Sequence, residues 1–165
     1  MEPLKEPRLR TGKPRTVVRL ENEDGKFRKN GQSLAGPPGA NLIAIVEAIE
    51  KGDQIDPDLY REHKGRSDTL LMKLGIMHIH LTPGSNLLLF LRQFEDHVEL
   101  IEVNDHGPFD PPGAVEYFEA KYRNILWNSQ REFELKAKKG KSQLAASVAN
   151  LTKNRRKPKT EEGGE

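Results

Sequence analysis

Apolar positions fall into three differently spaced groups along the chain. Leu42, Ile45, Val46 and Ile49 recur at the three-and-four spacing of one helix face. That spacing predicts a helix over 40–51, stopped by Gly52. From Thr69 the apolar residues become nearly continuous. Segments 69–81, 86–94 and 97–103 then read as three successive strands, with Gly84-Ser85 and Glu95-Asp96 at the turns. The first two are apolar on both faces, which places them inside a sheet covered on each side. The third mixes Val98, Leu100 and Ile101 with Glu99 and Glu102, so less burial is expected of it. Connections this short imply an antiparallel meander. The third group lies in a long charged segment, 115–138, where Tyr117, Phe118, Tyr122, Ile125, Leu126 and Trp127 predict a packed helix.

The remaining stretches frame these elements. Residues 1–15, rich in Pro and charge, read as a disordered basic segment, and 16–20 as a short strand. Asn30-Gly31 and Gly36-Pro37-Pro38-Gly39 mark 21–39 as loop or weak hairpin. Residues 55–64 form a polar connector. Three prolines make 105–113 a loop. A short helix over 142–151 is expected from Leu144, Val148 and Leu151. The expected class is therefore α+β: a helix, a three- to four-stranded antiparallel meander and a C-terminal helix. The domain occupies 16–138, and 139–165 form a basic tail.

Apolar residues make up 35% of the 165 and charged ones 32%, so part of the chain is expected to lie outside any core. The net charge of +2 hides a division. Residues 1–19 carry six basic side chains against two acidic, and 136–165 carry nine against three. The middle then holds twelve basic and twenty acidic groups, an acidic centre between basic ends. Basic ends suit a polyanion such as RNA, or simply confer solubility. There is no cysteine, which excludes a disulfide framework, a zinc ribbon and a thiol nucleophile. No apolar run approaches a membrane span, and no apolar region follows Met1. The expectation is a soluble cytoplasmic protein.

Four histidines change the picture. His63 closes the polar connector, His78 and His80 share one face of the first predicted strand, and His106 opens the loop after the third. In a meander the third strand runs parallel to the first, so His106 and His80 reach the same end of the sheet. Converging imidazoles can serve as general base and general acid. The plainer reading is that a strand histidine packs and hydrogen-bonds. His97 begins the third strand at the opposite end and is expected at the surface. His-x-His can also chelate a metal, but no carboxylate follows His80 closely, so no metal site is expected.

Four strings carry a resemblance: Tyr60-Arg61-Glu62-His63-Lys64, Met77-His78-Ile79-His80-Leu81-Thr82-Pro83-Gly84, Leu87-Leu88-Leu89-Phe90, and Val103-Asn104-Asp105-His106-Gly107-Pro108-Phe109. In order and spacing, over about residues 40–110, they resemble the RelE/YafQ superfamily of bacterial type II toxins, and the His-Ile-His-Leu string looks like the related YafO toxins. The resemblance implies a RelE-like fold and a ribosome-dependent endoribonuclease that cleaves mRNA without a cofactor. Its implied partners are mRNA, the ribosome and a cognate antitoxin. It further implies His63, His80 and His106 as catalytic residues. Lys64, Arg66, His78, Arg92 and Phe109 make up the expected substrate-binding set. The family's Asp after Pro is Gly84 here, so the group that orients an imidazole must come from elsewhere, with Asp105 or Asp110 as candidates. Two alternatives stand beside this one. The first is a non-catalytic relative that binds RNA or a partner through its basic ends. The second uses 142–159 as a partner-docking helix.

Overall fold

A computed structural model describes residues 1–20, 27, 34–60, 68–109 and 113–155. Four strands, β1 (Thr16–Arg19), β2 (Ile76–His80), β3 (Leu88–Gln93) and β4 (His97–Asn104), form one mixed sheet in the order β1-β4-β3-β2. The meander β2-β3-β4 is antiparallel throughout, as expected, but β1 pairs with β4 in parallel, Thr16 opposite His97. The sheet is therefore not purely antiparallel. β2 lies at an edge rather than inside, and β4, expected to be the less buried strand, lies between β1 and β3 with every residue buried.

One face packs under helix α1 (Pro37–Lys51). Ile45 and Ile49 meet Met77, Ile79, Leu89, Leu91, Val98 and Leu100 there. Helix α1 starts earlier than the periodicity predicts, because Pro37 and Pro38 open it instead of breaking it. Proline is pre-set for the first turn, where its missing N–H has no partner to lose. The helix ends at Gly52 as expected. Gly52 takes a left-handed φ of 77°, and a Cβ there would stand 2.6 Å from the Lys13 backbone.

The segment predicted as a strand over 69–81 divides in two. Asp68 accepts from the Leu71 N–H at 3.0 Å and starts a short helix, α2 (Thr69–Leu74), which Gly75 closes before β2 begins. A continuous apolar run has no period of its own, so the cap decides. Leu71 then packs with the α1 side of the sheet and Leu70 with the other.

The opposite face packs under the first turns of α3 (Ala114–Arg155), where Val115, Phe118, Tyr122 and Leu126 cover Ile76, Leu88, Phe90 and Ile101. A bulge lets both Ile101 and Glu102 face this side opposite Phe90: Phe90 pairs with Glu102, and Leu91 already pairs with Leu100.

Residues 1–15 carry no regular secondary structure, yet they are packed, contrary to the expectation of disorder. Leu9 is buried in the core. The Leu4 N–H donates to the Gln93 carbonyl at 2.7 Å, and the Gln93 side chain bridges the segment, donating to the Arg8 carbonyl at 2.8 Å and accepting from the Arg10 N–H at 3.1 Å. Arg15 is buried and donates to Gln93 Oε1 at 3.0 Å and to the Arg10 carbonyl at 2.7 Å. Its burial lowers its pKa from the ordinary guanidinium value. Arg10 pairs with Glu6 and Glu95.

The first compact unit spans 1–126 and the second 127–165, so the division falls before the 138/139 boundary expected from composition. In the second unit α3 continues unbroken to Arg155, where a separate short helix over 142–151 was expected. Leu135, Leu144 and Val148 are exposed on it. No helix among the described residues is long and apolar enough to cross a membrane.

Candidate active site

The end of the sheet where β2 finishes and β4 finishes collects aromatic rings. His80 and His106 approach to 5.6 Å between ring centroids, His78 and His80 to 5.9 Å. Phe109 closes the group, 5.1 Å from His78 and 5.9 Å from His106. Phe90, one strand over, lies 6.0 Å from both His78 and Phe109 and forms the floor. His78 and His80 are buried, His106 is half-buried with its Nε2 turned inside, and Phe109 is exposed, so the group meets solvent chiefly at Phe109.

Strand geometry explains the convergence. His78 and His80 sit two apart on β2, on the face of Ile76 and Phe90 that α3 covers. β4 leaves the same end of the sheet, and the turn after Asn104 carries His106 and Phe109 back over that face. A hydrogen bond from the Phe109 N–H to the His106 carbonyl, 2.9 Å, winds Gly107–Phe109 into a 3-10 turn.

His80 Nδ1 lies 2.7 Å from the Ser85 carbonyl oxygen. A carbonyl only accepts, so Nδ1 carries the proton and Nε2 of the neutral ring presents its lone pair. Nε2 is buried and has no hydrogen-bond partner among the described residues. The orienting group is thus a backbone carbonyl, where the family resemblance has a carboxylate. Gly84 makes this possible. Its φ of 68° and the Ser85 N–H to Thr82 carbonyl bond, 3.1 Å, fold the chain after β2 tightly enough to return Ser85 to the His80 ring.

Of the expected site residues, His78, His80, His106 and Phe109 come together. His63, Lys64 and Arg66 lie outside the described residues, as does Asp110. Arg92 does not belong to the group. It is buried at the other end of β3, where Nε and Nη2 donate to Glu99 Oε2 at 2.9 and 2.6 Å and Nη2 also donates to the Leu126 carbonyl at 3.1 Å. Its guanidinium is committed to structure, which corrects its assignment to substrate. His97, expected at the surface, is only 2% exposed. Its ring stacks on Phe94 at 4.3 Å with planes 4° apart, and Nδ1 meets Asp96 at 2.7 Å.

Polar residues of β4 that the sequence left unassigned lie beneath the cluster. Glu102 is fully buried and accepts from Asn104 Nδ2 and from the Tyr117 hydroxyl, both at 2.9 Å, and from the Tyr122 hydroxyl. Burial, and then the Glu102 charge, raise the Tyr117 pKa well above the ordinary phenol value. The one available signal was three polar residues, Glu99, Glu102 and Asn104, in a strand short of solvent-facing neighbours. Among the described residues no group of three His, Asp or Glu has the spacing of a metal site.

No family model, curated protein or solved structure matches this chain.

Proposed function

We propose that the chain is an endoribonuclease of the RelE-like toxin kind, cleaving mRNA on the ribosome with histidines as acid and base. The observation that carries this reading is the pair His80 and His106 at 5.6 Å, with the His80 proton held on Nδ1 by the Ser85 carbonyl. The proposed reaction requires the substrate to reach the buried His80 Nε2, which then takes the proton of a ribose 2′-OH. The 2′-oxygen attacks the adjacent phosphorus, the bond from phosphorus to the 5′-oxygen breaks, and His106 protonates that leaving oxygen. The products are a 2′,3′-cyclic phosphate and a 5′-hydroxyl. A cation that steadies the phosphorane is expected from His63 or Lys64. Phe109, exposed beside both His78 and His106, offers a face on which a base can stack.

Primer extension on mRNA under translation tests the reading. Wild-type chain is expected to give discrete cleavage ends that vanish in His80→Ala and in His106→Ala. Absence of any cleavage that depends on these two rings removes the nuclease.

The second reading, binding of RNA or a partner without catalysis, draws support chiefly from the C-terminal end. In the N-terminal segment Arg10 and Arg15 are engaged within the fold. Residues 127–155, in contrast, form a charged helical unit with Leu144 and Val148 exposed. A steep salt dependence of RNA affinity, lost on deleting 136–165, is its signature.

A further inference from the structure

We propose that Glu102 is a positioning residue for His106, acting through Asn104; this rests on the nuclease reading above. Glu102 has no exposed surface, and a carboxyl group at that depth is costly unless hydrogen-bond donors satisfy it. Here Oε1 takes Asn104 Nδ2 and the Tyr117 hydroxyl, and Oε2 takes the Tyr122 hydroxyl. Asn104 Nδ2 also lies 3.2 Å from the Tyr117 oxygen. With its NH2 turned toward Glu102 and Tyr117, the Asn104 amide has one orientation, and Oδ1 accepts the Asp105 N–H at 2.8 Å. Asp105 Oδ1 in turn accepts the Gly107 N–H at 2.8 Å, closing a turn around His106.

The consequence is a hydrogen-bonded chain from a buried carboxylate to the backbone on both sides of His106. β4 ends at Asn104, so the ladder no longer fixes the chain where His106 must meet His80. Glu102, clamped by two tyrosines of α3, supplies that fixation from below. A displacement of about 1 Å at such a ring is enough to cost about 10²-fold in rate.

The test compares Glu102→Leu, Glu102→Gln and Asn104→Ala by two readouts, the NMR titration of the His106 ring and the pH profile of mRNA cleavage. Glu102→Gln keeps an oxygen for Asn104 and Tyr117, and its NH2 meets the Tyr122 hydroxyl, which can turn to accept. It is expected to keep the wild-type titration and cleavage. Glu102→Leu removes every acceptor and is expected to shift the His106 titration, distort the limb of the profile that belongs to it and lower cleavage about 10²-fold. Should Glu102→Leu not fold, Asn104→Ala breaks the chain while leaving Glu102 on both tyrosines, and the same shift is expected. Superimposable His106 titrations in wild type and Asn104→Ala overturn the proposal, whatever happens to the melting temperature. If the wild type cleaves no mRNA the nuclease reading falls, and the titrations still decide whether Glu102 positions His106.

Discussion

His80 and His106 meet because β2 and β4 run in the same direction with β3 between them, so the last residue of β2 and the turn after β4 share one end of the sheet. The ladder brings the end of β4 to the end of β2, and the turn held by Asn104 and Asp105 then sets the spacing of the two rings. Replacement of either ring by alanine is expected to lower mRNA cleavage per folded molecule by about 10²–10⁴-fold, and loss of the buried His80 ring is also expected to lower the urea midpoint. The wild-type profile against pH is expected to be bell-shaped, and EDTA is expected to leave it unaltered. Loss of activity on chelation would replace the two-imidazole chemistry with a metal-dependent one.

Arg92 and Glu99 are a buried ion pair, exposed by only 6% and 2% at their side chains. Removing one partner strands the other charge. Arg92→Met is therefore expected to destabilise the fold by about 3–5 kcal/mol in urea titration, and Arg92→Met with Glu99→Leu to recover much of that loss. Neither change is expected to alter RNA affinity in molecules that remain folded. A selective loss of RNA binding with unchanged stability would return Arg92 to the substrate site.

Tyr117 and Tyr60 both have raised pKa values, each chiefly through burial. The sign follows from linkage. Below the ordinary phenol value near 10 both states are protonated and the full stability is present. Above it the unfolded chain releases protons that the folded chain retains, so stability falls as pH rises toward the folded values. Urea midpoints measured from neutral to strongly alkaline pH are expected to decline in this window, and less steeply in Tyr117→Phe. A decline equally steep in that variant would assign the alkaline loss to other groups.

Leu9 lies within the core that α1 covers. Leu9→Ala is expected to cost about 2–5 kcal/mol of stability, and deletion of residues 1–12 more, because the Gln93 side chain then loses its partners at Arg8 and Arg10. A truncated chain as stable as the full one would show that the segment adds nothing to the fold.

Much of the site was legible because it depends on chain direction alone. Alternation on a strand puts His78 and His80 on one face, and two short turns bring the end of β4 to the end of β2. What the sequence concealed is the partnership of polar residues. Glu99 and Glu102 looked like solvent-facing positions because hydropathy scores a carboxylate without its donors. Those donors, Arg92, Tyr117 and Tyr122, come from β3 and α3. Arg92 was misassigned to substrate for the same reason, since a cation near a histidine strand reads equally well as a phosphate ligand or as half of an ion pair. Leu9 and Arg15 were hidden by their proline-rich surroundings, where composition outweighed two residues whose partners lie on Gln93 and Tyr60. The α2 segment was lost to an apolar run whose helical half is fixed only by Asp68 and Gly75.

The parallel pairing of Thr16 with His97 has a consequence for how the chain is made. β1 leaves the ribosome early, but the strand that receives it is among the last parts of the sheet to be synthesised. Contacts so distant along the chain form slowly, since a long loop must close before any bond rewards it. The hairpins of β2, β3 and β4 can zip locally as they emerge, and the opening segment then threads onto a surface already built. Until β4 is made, this segment has only the end of α1 to meet, where the Gly12 and Arg15 N–H groups donate to the Gly52 and Ile49 carbonyls, and a nascent chain arrested before β4 is expected to leave β1 more open to protease than the finished fold does.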